Sequence, residues 1–552
     1  MSNSTKIAFL ALMSFACSED PQSRIDSLPN LTPQEAQEDL AEIAHKFRNF
    51  YGPLQFKERR FGFDFDEWVN ATNLKLQDQK TDAEIMGIFR EFLAKLDDAH
   101  VGLKIPATSS EIANYKIPME ILPLEDKFYV EQILDEDVRS LGIKEGDEIL
   151  AMDDKSMPEL LEIVKRYKWL GNDVSERHLS SSLTTRSYEL TDLVPKNADV
   201  KLTLKNAEGK IYTTNLAWRI SKLPDTSIPR PTQFRQLSVE SELAFIEKMG
   251  TPQPFFINDA SAEALSIRRI AVTDPAIATK YGIDLNSKPE IYAGIYNYND
   301  KNVLLVRQPT YGTEDFQTHL KYYRGLLAQY QPLVDVLVVD QTNNPGGDLM
   351  YVLDFFSLFI QEPKANFVQF LRADRKWYNE FRNVALETDP ELQTEVSKQM
   401  MNTAVAVEDA LKEDLFLTRQ PASFTGSDLV YPDKEFTWTK PVMVLINELD
   451  GSGGDAFPML MQRNGVSKLF GERTMGAGGS VEVFGPVTHS NIEVKITRGL
   501  FTSYKEDGVY AEEDLIENNG VLPDFHHSLS LEDFHSKYVT YIKRFSEEAT
   551  SL

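Results

Sequence analysis

Residues 442–455 read VMVLINELDGSGGD, and this stretch decides the fold. A β-rich apolar run from Val442 to Ile446 stops at a polar, glycine-rich turn. A helix-like stretch, Asp455-Ala-Phe-Pro-Met-Leu-Met-Gln, follows. Strand, glycine turn and helix in that order place Ser452 at a sharp bend that exposes its hydroxyl. Gly451, Gly453 and Gly454 remove the Cβ atoms that would block a substrate carbonyl. Free N–H groups at the following helix start favour a developing oxyanion. An incidental serine in a plain βα loop would show the same local pattern, so the rest of the chain has to decide.

The flanking sequence extends the α/β reading. Val334-Asp-Val-Leu-Val-Val-Asp340 is a second buried strand, ending in Gln341-Thr-Asn-Asn-Pro-Gly-Gly347 with a helix from about Leu349. Ile291–Tyr296 and Val303–Val306 read as strands and Phe316–Tyr330 as a helix. An α/β core over 291–530 is expected, with a charged helical insertion over 372–436 and a C-terminal helix over 531–552. Before it, residues 31–110 are helical: Leu40, Ile43, Ala44 and Phe47 share one helical face, as do Ile85, Ile88, Phe89, Phe92 and Leu93. Thr32-Pro33 and Thr81-Asp82 read as helix starts. The proline-dotted stretch 220–290 reads as a linker or surface insertion, or as a removable inhibitory strip. The whole is a mixed α/β, multidomain chain, as 552 residues require.

Composition narrows the partners. The formal charge is −27 with no Lys/Arg block, which argues against nucleic acid bound through its phosphates. Residues 1–16 read as a signal peptide, with Lys6, an apolar Ile7–Met13 and Ser14-Phe15-Ala16 at the cleavage point. Cys17, the single cysteine, cannot form an internal disulfide. Its place resembles a bacterial lipobox, with 17–30 as a polar tether. An exported protein is expected, in the bacterial cell envelope or secreted, touching membrane only through such a lipid anchor. No cluster of His, Cys and carboxylate has metal-ligand spacing, so neither metal nor other cofactor is expected.

Residues 117–219 form a separate unit. Gly142-Ile143-x-x-Gly146-Asp147-x-Ile149-Leu150 resembles the core signature of a PDZ domain. Such domains bind extended peptides by strand addition, which nominates Gly142, Ile143, Gly146 and Asp147 as peptide-binding residues. The stretch Lys168–Asp192 is longer than a plain PDZ loop and is expected to modify the groove.

A serine nucleophile needs a base and an orienting group. Of eight histidines, His100 stands at a helix-to-strand junction, in Asp97-Asp-Ala-His100, where side chains enter clefts. Six motifs then occur in order: Asp97–His100, the PDZ-like unit, Val-Val-Asp340 to Gly347, Leu445 to Asp455, Gly471-Glu-Arg-Thr and Glu517-Asn-Asn-Gly-Val-Leu-Pro-Asp524. Together they resemble the S41 peptidases, the C-terminal processing protease and tricorn protease family. The resemblance covers roughly 35–220 and 290–525. It implies a ClpP/crotonase-like α/β core with an N-terminal helical region and an inserted PDZ-like domain.

The processing proteases carry a lysine about 25 residues after the serine, where this chain has Ala477. The tricorn-like branch, which includes the chlamydial protease-like activity factor, uses Ser, His and Glu. Carried across by motif, Ser452 is the nucleophile, His100 the base and Glu517 the orienting carboxylate. Gly453, with Gly346 or Gly347, forms the oxyanion hole. The serine that precedes the histidine in tricorn is Ala99 here, so Glu517 acts through water or Asp98 substitutes. Glu517 reads otherwise as a surface glutamate before a turn. The implied activity is serine endopeptidase action on protein or peptide substrates, with a homodimer allowed for. The alternatives are an inactive peptide-binding scaffold on the same fold and an α/β-hydrolase esterase. The esterase fails on Asp450, which stands where G-x-S-x-G needs glycine.

Overall fold

The computed structural model describes residues 31–105, 114–187, 190–220, 235–236, 253–286, 291–313, 315–387, 395–423 and 426–552. The signal peptide expected over 1–16, the tether over 17–30 with Cys17 and much of 220–290 lie outside the described residues. Two compact units emerge. One comprises Glu247–Gly479 and Leu500–Leu552; the other holds the described residues up to 236 together with Ser480–Gly499.

The first unit is built on a seven-stranded sheet. Its order is Arg268–Arg269, Ala293–Tyr298, Lys301–Arg307, Val336–Asp340, Val442–Ile446, Lys468–Gly471 and Phe525–His526. The first two pairings are antiparallel and the remaining four parallel. The two central strands are buried at every position, which explains their unbroken apolar sequence. Alternate side chains serve two cores. Leu337, Val339, Val444 and Ile446 pack with the helices Phe316–Tyr330, Leu349–Ser357 and Gly453–Arg463. Val336, Val338, Met443 and Leu445 pack with Tyr541, Ile542 and Phe545 of the helix Val539–Ser551. Within 220–290, residues 253–286 hold the helices Asp259–Ala264 and Pro275–Tyr281 and supply the edge strand Arg268–Arg269. The insertion holds two helices packed on each other, Arg375–Glu387 and Glu395–Lys412.

The second unit opens with the helices Pro33–Phe50, Leu54–Phe61, Phe65–Lys75 and Asp82–Ala94. Thr32 and Thr81 cap the first and last, each in a capping box with Glu35 and Glu84. The short strand Gly102–Lys104 then pairs antiparallel with Glu493–Thr497, itself one arm of a hairpin with Val481–Phe484. The PDZ-like module has the strand order Met119–Leu124, Lys127–Ile133, Glu148–Met152, Asp199–Lys205, Ile211–Ala217, plus the helix Met157–Lys165 and its own apolar core. Among the described residues, no helix is long and apolar enough to cross a membrane.

Candidate active site

The strand Val442–Ile446 ends, the chain turns through Asn447–Gly451, and the helix Gly453–Arg463 begins. Ser452 sits at the bend with φ 58° and ψ −113°, a left-handed conformation that a serine adopts only under constraint. Two buried aspartates supply the constraint. Asp450 accepts hydrogen bonds from the N–H groups of Asn344 (2.8 Å) and Asn447 (3.0 Å) and from Gln341 Nε2 (3.2 Å). Burial raises its carboxyl well above the usual range. Asp455 Oδ2 accepts from the N–H of Ser452 (2.8 Å) and of Ala477 (2.9 Å). Its Oδ1 accepts from Gly476 N–H (2.9 Å) and from the Thr474 hydroxyl. Burial outweighs these donors and pushes Asp455 up to about 6. Ser452 itself is half-buried.

Oxyanion donors must be free N–H groups. Gly453 N–H, at the helix start, and Gly347 N–H have no hydrogen-bond partner among the described residues. Gly346, the alternative donor expected from sequence, is otherwise engaged. Its N–H donates to Asn344 Oδ1 (2.8 Å), and its carbonyl accepts from Tyr311 N–H (2.8 Å) and Thr310 Oγ1 (3.1 Å). Gly346 serves by lacking a side chain. With φ +91°, a Cβ there would stand 2.5 Å from Gly453 N and 2.7 Å from Ser452 Cβ.

Glu517 is fully buried, which corrects the surface reading. Its Oε2 accepts from Gly478 N–H (3.1 Å), while the adjacent Ala477 N–H is held by Asp455. The loop 476–478 therefore bonds on one side to the acid that fixes Ser452 and on the other to Glu517. Ala477, the position at which the resemblance would place a lysine, is buried.

His100 belongs to the other unit, at the turn between the helix Asp82–Ala94 and the strand Gly102–Lys104. It is buried, and its Nδ1 has no hydrogen-bond partner among the described residues. Burial, then the cation of Lys495, pushes the imidazole down to about 4. Asp98, the substitute orienting acid, is committed elsewhere: it accepts from Tyr51 Oη (2.9 Å) and from the backbone N–H of His100 (2.8 Å). It holds the backbone at His100, not the ring.

The four PDZ-like residues build a turn. Gly142 and Gly146 take φ +84° and +91°. Ile143 is core. Asp147 accepts from Lys144 N–H (2.9 Å) and Tyr212 Oη (2.6 Å), and Gly146 N–H donates to the Val130 carbonyl (2.8 Å). The long stretch after the helix Met157–Lys165 forms a 3-10 turn, Arg177–Leu183, packed on both that helix and the edge strand Met119–Leu124.

Sequence reading passed over Asp455 and Asn344. Ser452-x-x-Asp455 has capping-box spacing, which was the available signal. Among the described residues, no group of three or more His, Cys, Asp or Glu is placed to hold a metal ion.

Comparison with known proteins agrees with this architecture. Residues 302–527 match the model of peptidase family S41, and residues 113–228 match a PDZ domain. An uncharacterized protein of Chlamydia muridarum (strain MoPn / Nigg) is 24% identical over 580 residues, spanning 95% of this chain and 94% of that protein. A Chlamydia pneumoniae protein is 23% identical, spanning 93% and 90%. The structure of mature CPAF complexed with lactacystin superposes with a TM-score of 0.73 at 21% identity, covering 94% of this chain and 98% of that one. The fold of this chain is thus the fold of mature CPAF. With an S41 peptidase domain and a PDZ domain in one chain, the protein is a serine-type peptidase.

Proposed function

We propose that the chain is an exported serine endopeptidase that works through an acyl-enzyme on Ser452, with His100 as general base and Glu517 as orienting carboxylate. His100 takes the Ser452 hydroxyl proton as the oxygen attacks a peptide carbonyl carbon. Charge gathers on the carbonyl oxygen, facing the N–H groups of Gly453 and Gly347. Removing one such donor costs about 3–4 kcal/mol in known cases. His100 then passes the proton to the leaving amine, and water releases the acyl group. A base must be neutral to act, and burial together with Lys495 favours the neutral imidazole. Its unpartnered Nδ1 is the atom on which an orienting carboxylate acts.

One observation carries the reading: Ser452 is held at a strained φ beside two N–H groups with no internal partner. Export rests on residues 1–17, and there Cys17 is the candidate lipid carrier. For the PDZ domain, regulation fits better than capture of peptides at the edge strand Met119–Leu124, because the 3-10 turn Arg177–Leu183 packs against it.

A fluorophosphonate probe tests the mechanism. Wild type should label at Ser452 and lose labelling in Ser452→Ala. In His100→Ala it should label at least about a hundredfold more slowly. Labelling that survives His100→Ala at the wild-type rate refutes the base.

A further inference from the structure

We infer that Trp169, from the stretch that follows the PDZ-like helix Met157–Lys165, is a positioning residue for the peptidase reaction: its indole N–H holds the turn that carries His100 and ties that turn to the PDZ-like module. The inference rests on the reading of His100 as the base.

His100 occupies the third place of a four-residue turn, Asp98–Val101. The Val101 N–H closes the turn onto the Asp98 carbonyl (2.9 Å), and the Asp98 carboxylate accepts from the His100 N–H (2.8 Å). Trp169 adds a third hold from outside. Its Nε1–H is shared between the Asp98 carbonyl (2.7 Å) and the Val101 carbonyl (3.2 Å), at the two ends of the turn. Two residues on, the Gly171 N–H donates to the carboxylate of Asp97 (3.3 Å), which enters the turn at φ 42°. One short segment thus fixes the backbone on both sides of His100. The imidazole is buried and has no hydrogen-bond partner at Nδ1 among the described residues. Its place therefore follows from the backbone that bears it and from packing.

The segment is anchored in the PDZ-like module. The Lys168 N–H donates to the Val164 carbonyl at the end of the helix (3.0 Å), and the Lys168 ammonium to Ser182 Oγ in the 3-10 turn (2.9 Å). Asn172 Oδ1 accepts from the N–H groups of Val174 (3.1 Å) and Ser175 (3.0 Å), which starts the short helix Asp173–Glu176. Alongside, the Arg166 guanidinium pairs with Glu91 (2.7 Å) on the helix Asp82–Ala94, which leads into the His100 turn. The stretch Lys168–Asp192, longer than a PDZ loop needs to be, thus begins by holding the residue next to the chemistry.

The test is a double-mutant cycle in the full chain, read by the rate at which a fluorophosphonate labels Ser452. Trp169→Phe keeps an aromatic ring and removes the N–H. Exchanging the Trp169 indole for benzothiophene, through an unnatural amino acid, removes the N–H within the same outline, and decides the matter if Trp169→Phe folds poorly. With His100 present, either change should slow labelling about tenfold, part of the roughly hundredfold that a misplacement of about 1 Å costs. In a His100→Ala background the same change should alter the remaining rate by less than about twofold, because nothing is left to position. Equal slowing in both backgrounds overturns the inference, since Trp169 then acts on the fold as a whole. Unchanged labelling with His100 present also overturns it, and leaves His100 as base untouched. Labelling of His100→Ala at the wild-type rate overturns the base, and Trp169's part with it.

Discussion

Gly346→Ala asks whether the Ser452 turn is held by close backbone packing. At φ +91°, a methyl at 346 would stand 2.5 Å from Gly451 O and Gly453 N and 2.7 Å from Ser452 Cβ. Carbon contacts settle at about 3.5 Å, so the turn must retreat by roughly 1 Å. None of the three crowded atoms ends a flexible side chain, so no rotamer change relieves the clash. A displacement of about 1 Å in a catalytic group costs about a hundredfold in rate, or about 2.7 kcal/mol of barrier. The left-handed φ adds about 1–2 kcal/mol of lost stability. Gly62→Ala separates the two effects. Gly62 ends the helix Leu54–Phe61 at φ +62° with nothing within 4 Å of an added methyl. It should show the stability loss alone, with kcat unchanged. Stopped-flow acylation by a chromogenic ester and urea denaturation measure the two quantities. If Gly346→Ala acylates within threefold of wild type, the packing does not position the serine and the reasoning fails.

Two further outcomes are expected. Placing a lysine at the position of the processing-protease ammonium, by Ala477→Lys in a His100→Ala background, should not restore labelling of Ser452. Ala477 is buried and its N–H is bound to Asp455, so the change should lower the unfolding free energy from urea denaturation by about 3 kcal/mol; recovered labelling would sink this account. The low imidazole of His100 predicts a pH-dependent stability. Its midpoint lies near 6.5 unfolded and about 4 folded, so the unfolded chain binds the extra proton between those values. The stability is fully present above 6.5 and lost as pH falls through 4, with about 2 kcal/mol gone by pH 5. Between pH 7 and 5 wild type should lose that much relative to His100→Gln, whose other groups titrate alike. Parallel urea midpoints for the two proteins would contradict it.

The parts of this protein that were legible in its sequence are those whose cause is local. Continuous apolar runs at Val336–Asp340 and Val442–Ile446 announce strands covered on both faces, and a glycine-flanked serine announces a turn with no room for side chains. The hairpin Val481–Thr497 was legible as strands but not as a neighbour of His100. Its partner Gly102–Lys104 lies far away in the chain, and pairing uses backbone groups that carry no residue signature. Glu517 shows the same gap from another side. A glutamate before a turn reads as solvated, because nothing in its own neighbourhood says it will be covered. One group that meets it is Gly478, which sequence registers only as a neighbour of the position where a lysine is absent. In the folded chain a Cβ on Gly478 would stand 2.5 Å from Glu517 N. Gly478 lets the loop lie against Glu517 and donates its N–H to the carboxylate.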